Sequence, residues 1–317
     1  MVPPERLRED IRAVKARTSK PFGVNFLLAP PESGNRDLAL VQRFLDRFRE
    51  ELGMPPGQTD LTLPPSSLAE QLEVLFNERV PVLSVALGDP GDLVARVHEE
   101  DMLVMAMVTT VEEAELVTER GADIVVAQGA GGHRSTFELG PGGEVPLVGT
   151  LALVPQVMDA VDVPVVAAGG IADGRGLIAA LALGDSDAQV GTRFLSAWES
   201  GVFPAYRKHL LEAAQTDSVV TRAFTGRPAR GIRNHFLEEY LKEGPEPLAF
   251  PLQMLATRDI YEEARARDEG DHFLLLAGQG LGMLKDGQGA AEIVAEIVSG
   301  AEATLARLAG EAPAGAG

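Results

Sequence analysis

The sequence contains no cysteine, so disulfides, thiolate metal sites and cysteine nucleophiles are excluded. It also has no run approaching about 18 consecutive apolar residues, the length of a membrane-spanning helix. Positive charge is scarce, because 28 Lys and Arg stand against 47 Asp and Glu, which gives a formal net charge of -19. Nucleic acids and anionic membranes would repel such a chain and are not expected as partners.

Other functional signatures are missing as well. No apolar core follows the N-terminal residues, so no signal peptide is predicted and a cytoplasmic location is expected. There is no Walker loop, and Ser84, Ser135 and Ser196 lie in no nucleophile-elbow pattern, which argues against a hydrolase. The chain does have 317 residues, 45% of them hydrophobic, which is enough for one large α/β domain or two medium ones.

Short apolar runs alternate with helical patterns along the first 195 residues. Strands are predicted at 21–28, 80–87, 102–108, 123–127, 163–168 and 188–191. Strands that alternate with helices indicate βαβ units and a parallel sheet. A closed (β/α)8 barrel has eight strands and only six are recognisable here. We therefore predict an α/β fold of TIM-barrel type over residues 1–195, incomplete at the N-terminus.

The pattern changes after residue 195. Residues 196–270 are predicted to be helical, without a strand, and to form a cap over the barrel mouth. Residues 271–309 are predicted to return to the barrel and to end in a helix at 289–308. The tail at 310–317 consists mainly of Ala, Gly and Pro and is expected to be disordered.

Glycines follow two successive predicted strands. Gly169 and Gly170 come after the strand at 163–168, and Gly191 and Thr192 end the strand at 188–191. Such glycines often serve only as tight turns. Two in succession favour a phosphate site, which barrels commonly build from the loops after strands 7 and 8. Phosphate needs converging N–H donors, and side chains would hold it away.

A third glycine-rich loop follows the strand that ends at Gln128 and presents His133. In a barrel this loop lies on the same face as the other two, where function is expected. A loop histidine is commonly a surface residue, but it also titrates near neutral pH and can exchange a proton there. The glycines before it favour a flat ligand beside the loop. Asn25, a polar residue in an apolar strand, is either hydrogen-bonded at the strand end or directed at a ligand.

The remaining histidines lie in helical or charged contexts, and no His, Asp or Glu spacing predicts a metal site. They are interpreted as surface residues: His98, His209, His235 and His272.

Six motifs can be compared with known families: Phe22–Asn25, the Gln128–Arg134 loop, Pro164–Gly176, Gln189–Phe194, Thr225–Gly231 and Ala277–Gly280. Together they resemble the nitronate monooxygenase family, formerly called 2-nitropropane dioxygenases, over roughly residues 5–305. Part of the pattern is shared with the FMN-dependent enoyl-ACP reductases.

The resemblance implies an FMN-containing TIM barrel that oxidises an alkyl nitronate, such as propionate 3-nitronate, with dioxygen to a carbonyl compound and nitrite. It implies that His133 is catalytic and that Asn25, Gln128 and Gly131 contact the flavin. A homodimer is compatible with it. The phosphate and ribityl chain would be held by Gly169, Gly170, Gln189, Val190, Gly191 and Thr192.

The chain departs from the family pattern in two places. The family normally begins with two further strands, so the first strand here corresponds to its third. Either the true start lies upstream, which we expect, or the protein is truncated and has an open barrel, whose exposed strand edges and core surface would be costly. The family loop usually reads Gln-Gly-x-Glu-Ala-Gly-Gly-His, whereas Gln128 and His133 are two residues closer and the Glu is absent. Two alternatives therefore stay open: an NAD(P)H-dependent relative of the enoyl reductases, and an inactive protein that binds flavin or phosphate.

Overall fold

Six parallel strands form one sheet in the order β1-β2-β3-β4-β5-β6. The structure, a computed structural model, describes residues 2–28, 37–58, 60–63, 66–132, 146–184 and 187–310. His133 and all but the first residue of the predicted tail lie outside these ranges. The strands are β1 (Gly23–Leu27), β2 (Val82–Ala86), β3 (Leu103–Val108), β4 (Ile124–Gln128), β5 (Val165–Ala168) and β6 (Asp187–Gln189).

Helices connect the strands, and most of them pack against one face of the sheet. The helices of this part are α1 (Pro4–Lys15), α2 (Leu38–Glu51), α3 (Leu68–Asn77), α4 (Leu93–Glu99), α5 (Val111–Glu119), α6 (Thr150–Ala160), α7 (Gly174–Ala182) and the short α8 (Thr192–Leu195). The predicted incomplete α/β barrel with six recognisable strands is confirmed.

Side chains alternate between the two faces of the sheet. In β3, Val104, Ala106 and Val108 are buried in the largest apolar cluster, which the sheet forms with the helices. Their neighbours Leu103 and Met107 belong to the opposite, inner face of the sheet, because successive strand residues point to opposite sides. Leu103 is 46% exposed there. The inner face and the carboxyl ends of its strands are where a barrel places its functional site.

Local signals in the sequence explain where two of the helices begin. Thr110 is the N-cap of α5, and its hydroxyl oxygen accepts a hydrogen bond from the Glu113 amide at 3.2 Å. The Glu113 carboxylate accepts from the backbone N–H of Thr109 at 2.6 Å. Asp173 is the N-cap of α7 and accepts from the amides of Arg175 and Gly176. The Thr110 hydroxyl and the Asp173 carboxylate thus satisfy first-turn amides that each helix itself leaves unpaired.

Residues 196–310 contain helices, as predicted, but also a two-stranded antiparallel sheet. Its strands are β7 (Ser218–Thr221) and β8 (Ala229–Ile232), and Gly231 bridges to Leu276. The prediction that no strand lies in 196–270 is therefore wrong. Each of these strands has only four residues, and β8 contains Arg230 and Gly231. The sequence therefore lacks the alternation of apolar and polar residues from which strands are predicted. The remaining elements are α9 (Pro204–Glu212), α10 (His235–Glu243), α11 (Leu252–Ala266), a 3₁₀ helix (Gln279–Met283) and α12 (Ala290–Leu308).

Helix α2 packs with these later elements. Its buried residues Val41, Leu45 and Phe48 lie in one apolar cluster with Phe236 and Ile260, from α10 and α11. Residues 196–284, which include β7 to the 3₁₀ helix, are called the cap from here on as a name for this part of the chain. A segment that precedes most of the sheet thus contributes to its packing.

None of the helices in the described parts of the chain has the length and apolar character needed to cross a membrane.

Candidate active site

A cavity of about 280 Å³ opens at the carboxyl ends of the strands. It contains eight of the nine residues predicted to contact a cofactor, drawn from four separate βα segments. The eight are Asn25, Gln128, Gly131, Gly169, Gly170, Gln189, Gly191 and Thr192; the further lining residues are Ser84, Ala86, Met107, Gly132, Ala168, Ile171 and Gly280.

The glycine loops after β4 and β5 pack directly against each other. Gly169 has a φ of +100°, which L side chains rarely adopt, and a Cβ there would lie 2.7 Å from the Gly129 oxygen and the Gly132 nitrogen. A Cβ on Gly131 would lie 3.0 Å from the carbonyl carbon of Gly169. These glycines are therefore needed for contact between the two loops, whatever the cavity binds.

Gly170 and Gly191 face open space instead. The nearest heavy atom to a Cβ on Gly170 would be 3.8 Å away, and a Cβ on Gly191 would meet nothing within 4 Å. Both residues line the cavity. The absence of their side chains leaves room for a ligand to approach the backbone, which is the arrangement that a phosphate site requires.

Hydrogen bonds from the cap hold the mouth of the cavity. The guanidinium of Arg230, only 7% exposed, donates through Nη2 to the Ala130 oxygen at 2.8 Å, and burial lowers the pKa of Arg230. The Gln279 amide donates to the Gly131 oxygen at 2.9 Å. The Gly278 amide donates to Oγ1 of Thr192, also at 2.9 Å. The loops after β4 and β6 are thus fixed by residues far along the chain.

The wall formed by β1 and β2 carries a polar pair. Asn25 and Ser84 are register partners, and the Ser84 hydroxyl donates to Oδ1 of Asn25 at 3.0 Å. The amide oxygen already accepts this one hydrogen bond, and the NH2 group of Asn25 is a donor that it can offer to a ligand. Asn25 thus combines the two roles considered for it, a hydrogen bond within the sheet and a position on the cavity.

Two residues of the Gln189–Phe194 motif are directed elsewhere. The Val190 side chain packs against the apolar cluster of Ala197 and Ile293 and is not part of the cavity lining. Arg193 is 2% exposed and lies near α12, where it donates to Oγ of Ser196 at 2.9 Å and pairs with Glu296 at 3.3 Å. Within the described ranges, the cavity lining contains no charged side chain. Its polar groups are amides, hydroxyls and backbone.

Sequence reasoning missed seven lining residues. Ser84 had a signal, since it is a polar residue in an apolar strand, as Asn25 is. Gly132 lay in a loop already singled out. Ala168, Ile171 and Gly280 lay in motifs already singled out. Ala86 and Met107 gave no signal, because an apolar strand residue on the inner face looks the same in sequence as one in the core. The predicted catalytic residue, His133, follows Gly132 directly but lies outside the described residues.

Comparison with known proteins places the chain in a family. The family model described as nitronate monooxygenase matches residues 1–300. A probable nitronate monooxygenase of Staphylococcus aureus (strain MSSA476) is 36% identical over 265 residues, which are 82% of this chain and 74% of that protein. Another, from Staphylococcus haemolyticus (strain JCSC1435), is 34% identical over 280 residues, which are 87% and 78% of the two chains.

Solved structures agree. A nitroalkane oxidase from Streptomyces ansochromogenes superimposes with a TM-score of 0.87 at 32% identity, over 96% of this chain and 87% of that one. FabK from Thermotoga maritima gives a TM-score of 0.75 at 29% identity, over 97% and 84%. These similarities confirm the resemblance that the sequence motifs indicated. The chain therefore belongs to the nitronate monooxygenase family of oxidoreductases.

Proposed function

We propose that the chain binds FMN in this cavity and oxidises alkyl nitronates, such as propionate 3-nitronate, with dioxygen to a carbonyl compound and nitrite. The observation that carries the proposal is the meeting of eight motif residues at one cavity. Membership of the family and similarity to a nitroalkane oxidase support the oxidation of nitro compounds as the chemistry.

The lining fits a phosphorylated flavin, because it offers hydrogen-bond donors for the phosphate and leaves room beside two glycines. Backbone N–H groups at Gly170 and Gly191 and the hydroxyl of Thr192 are suited to a phosphate, since no side chain of either glycine holds it away. Met107 and Ile171 offer apolar surface to a flat ring. When bound, FMN supplies the electron acceptor for the nitronate and the means of reducing dioxygen.

The chain's own residues bind and orient. Asn25, held by Ser84, donates its NH2 group, and the amide of Gln128 adds a donor and an acceptor at the end of β4. The Gly278 bond leaves Thr192 Oγ1 with its proton to donate to the phosphate. These groups position the cofactor, and the cap residues that hold the loops keep the lining in place.

We propose His133 as the catalytic residue. Its imidazole nitrogens can take up or release a proton near neutral pH, which suits a group that contacts a nitronate. Gly132, its neighbour in the chain, lines the cavity.

Binding is tested with a matched pair of glycine variants. A methyl group on Gly191 would occupy cavity space, and one on Gly201 would also meet no heavy atom within 4 Å but lies outside the lining. We expect Gly191→Ala to weaken FMN binding about tenfold or more, as the loss of close backbone approach implies, and Gly201→Ala to leave it unchanged. Flavin fluorescence quenching measures both. Equal FMN affinities in the two variants would rule out a phosphate position beside Gly191.

Turnover is tested by oxygen uptake and nitrite release with propionate 3-nitronate. His133→Ala should keep its flavin spectrum and lose turnover by about 100-fold or more, the range for a general acid or base. Unchanged turnover in this variant would rule out His133. A fully flavin-loaded protein that consumes no oxygen with any alkyl nitronate would refute the substrate class.

A second candidate is an NAD(P)H-dependent reductase, which the similarity to FabK favours. Anaerobic addition of NADPH separates the two, because only the reductase would bleach the bound flavin without a nitronate. The nitronate proposal is preferred on the Thr225–Gly231 motif, whose Arg230 holds the loop at Ala130.

A further inference from the structure

Two of the histidines lie together at a place where α2 meets the cap. His235 is the first residue of α10 and His272 follows α11, yet both direct Nε2 to one carboxylate oxygen of Glu51, the last residue of α2. The distances to Oε2 of Glu51 are 2.9 Å from His235 and 2.7 Å from His272. His272, interpreted from sequence as a surface residue, has only 11% of its side chain exposed.

The three ligand-type atoms lie within 4.8 Å of one another. Two imidazole nitrogens and one carboxylate oxygen form a donor set that Zn²⁺ accepts, with bonds of about 2.0–2.2 Å and neighbouring ligand atoms about 3.3 Å apart. The two N···O distances here, 2.9 and 2.7 Å, are shorter than that by roughly half an ångström. They correspond to hydrogen bonds, and the atoms would have to move apart by this amount to coordinate a metal ion. Spreading of this size lies within the freedom of Glu51 and His235, whose side chains are 43% and 42% exposed.

A second carboxylate, that of Glu269, contacts the other ring nitrogen of His272. Nδ1 of His272 lies 2.8 Å from Oε2 of Glu269. Metal-binding histidines usually have a carboxylate or carbonyl on the nitrogen that does not face the metal, because it fixes the ring and raises its basicity. Phe48 packs edge-on against both imidazoles, with ring centroids 5.9 Å and 6.0 Å away, which further limits their rotation.

We propose that Glu51, His235 and His272 form a binding site for a divalent transition metal ion, Zn²⁺ in the first place, with Glu269 as the residue that orients His272. The partly exposed side leaves a coordination position for water. The ion would join α2 to the cap at two points, and no residue of the site lines the cavity described above. The site is therefore structural, and it is independent of the proposed flavin chemistry.

The test is calorimetric titration of the full chain, free of any histidine tag and treated with chelator, with ZnCl2 at pH 7.5. We expect one ion per chain, and a Tm several degrees higher with excess Zn²⁺, because a ligand that binds only the folded state stabilises it. Glu51→Gln and His235→Asn should each weaken binding at least 100-fold. Glu269→Gln should weaken it about 10- to 100-fold, as loss of an orienting carboxylate does.

His98→Asn is the matched control. His98 also faces a carboxylate, Asp123, at 2.9 Å and its side chain is 40% exposed, but among the described residues no further histidine joins that pair. The His98→Asn variant should bind Zn²⁺ with the same affinity as the parent protein. Absence of stoichiometric binding would overturn the proposal, as would equal affinity in His235→Asn and the parent. Co²⁺ absorption gives a second readout: bands of tetrahedral intensity are expected in the parent and in His98→Asn, and their persistence in Glu51→Gln would also refute the site.

Discussion

At the scale of single residues, the cavity depends on glycine for two different reasons. Gly169 is needed because its backbone has a φ of +100° and lies against Gly129 and Gly132. Gly191 is suited to the cavity because it leaves space there. Substitution at the first should therefore affect stability, and substitution at the second should affect binding.

Gly169→Ala is expected to reduce the free energy of unfolding by about 2 kcal/mol or more, since a methyl group adds backbone strain and a 2.7 Å contact. Urea denaturation measures the change. Gly201→Ala, where a methyl group meets nothing within 4 Å, should stay within about 1 kcal/mol of the parent. Equal midpoints for the two variants would show that the loops adapt without loss.

Ser84→Ala is expected to weaken FMN binding about three- to tenfold, because the Asn25 amide loses the hydrogen bond that orients it. Its unfolding midpoint should hardly change, as the pair is partly exposed. Ser299→Ala removes a comparable hydroxyl on α12, which contacts only the Glu296 carbonyl in this part of the structure, and serves as the control. Unaltered affinity in Ser84→Ala would mean that Asn25 does not need this partner.

At the scale of elements, α2 is attached to α11 by a buried guanidinium. Arg49 is 1% exposed and donates to both carboxylate oxygens of Asp259, at 2.8 and 3.1 Å, and to the Ala256 carbonyl at 2.7 Å. Burial acts against the charged form, but the contacts with Asp259 and Asp46 dominate and raise the pKa of Arg49. The neighbouring Arg47 also forms ion pairs with the cap but is 46% exposed.

Arg49→Leu should therefore lower the free energy of unfolding by about 2–3 kcal/mol, through several lost charge-assisted hydrogen bonds. Arg47→Leu should lower it by less than about 1 kcal/mol, because exposed pairs contribute little. Urea midpoints of the two variants give the comparison. An equal loss in both would mean that the buried contacts of Arg49 contribute no more than the surface pairs.

The cap of α7 gives a prediction with a pH dependence. The hydrogen bond from the Arg175 side chain, helped by the amide of Gly176, lowers the pKa of Asp173 below its ordinary value of 3.8. A depressed folded-state pKa means that the stabilisation is present above the unfolded pKa and is lost as the pH falls through the folded value. Asp173→Ala should cost about 1 kcal/mol at pH 7. The difference in the free energy of unfolding between variant and parent, measured from urea midpoints, should shrink as the pH falls below about 4. A difference that stays constant with pH would show that the charge of the Asp173 carboxylate does not contribute to the stabilisation.

The sequence predicted the elements whose pattern is local and could not predict the contacts between distant ones. The first five strands of the sheet follow from apolar runs bounded by turns, and the start of α5 follows from Thr110. The sixth strand, Asp187–Gln189, begins and ends earlier than the predicted 188–191, because only one of its three residues is apolar. The amphipathic pattern of α2 shows that one face is buried, yet nothing in it specifies Phe236 or Ile260 as the partners. The cavity was anticipated through its glycines. The pairing of Ser84 with Asn25 depended on sheet register, and the cluster around Glu51 on residues about 200 positions apart, which no spacing rule covers.

At the scale of the whole molecule, the formal net charge of -19 should make stability depend on salt. Like charges on one surface repel each other, and added salt screens that repulsion with a Debye length of about 8 Å at 0.15 M. We expect Tm to rise by a few degrees between low salt and about 0.5 M NaCl at pH 8. Potassium chloride in place of NaCl should give the same rise, as screening is not specific to the cation. A falling Tm would indicate that attractive ion pairs such as Arg49–Asp259 outweigh the repulsion.

The bonds from Gly278 and Gln279 to Thr192 and Gly131 also bear on how the protein is made. They connect residues 86 positions apart in the case of Thr192 and Gly278. During synthesis the N-terminal strands emerge first and can fold while the ribosome still holds the rest. The loops that surround the cavity nevertheless lack their last partners until residue 279 has left the ribosome. The cavity is thus completed late in synthesis, and a chain released before that point would contain the sheet without a finished site.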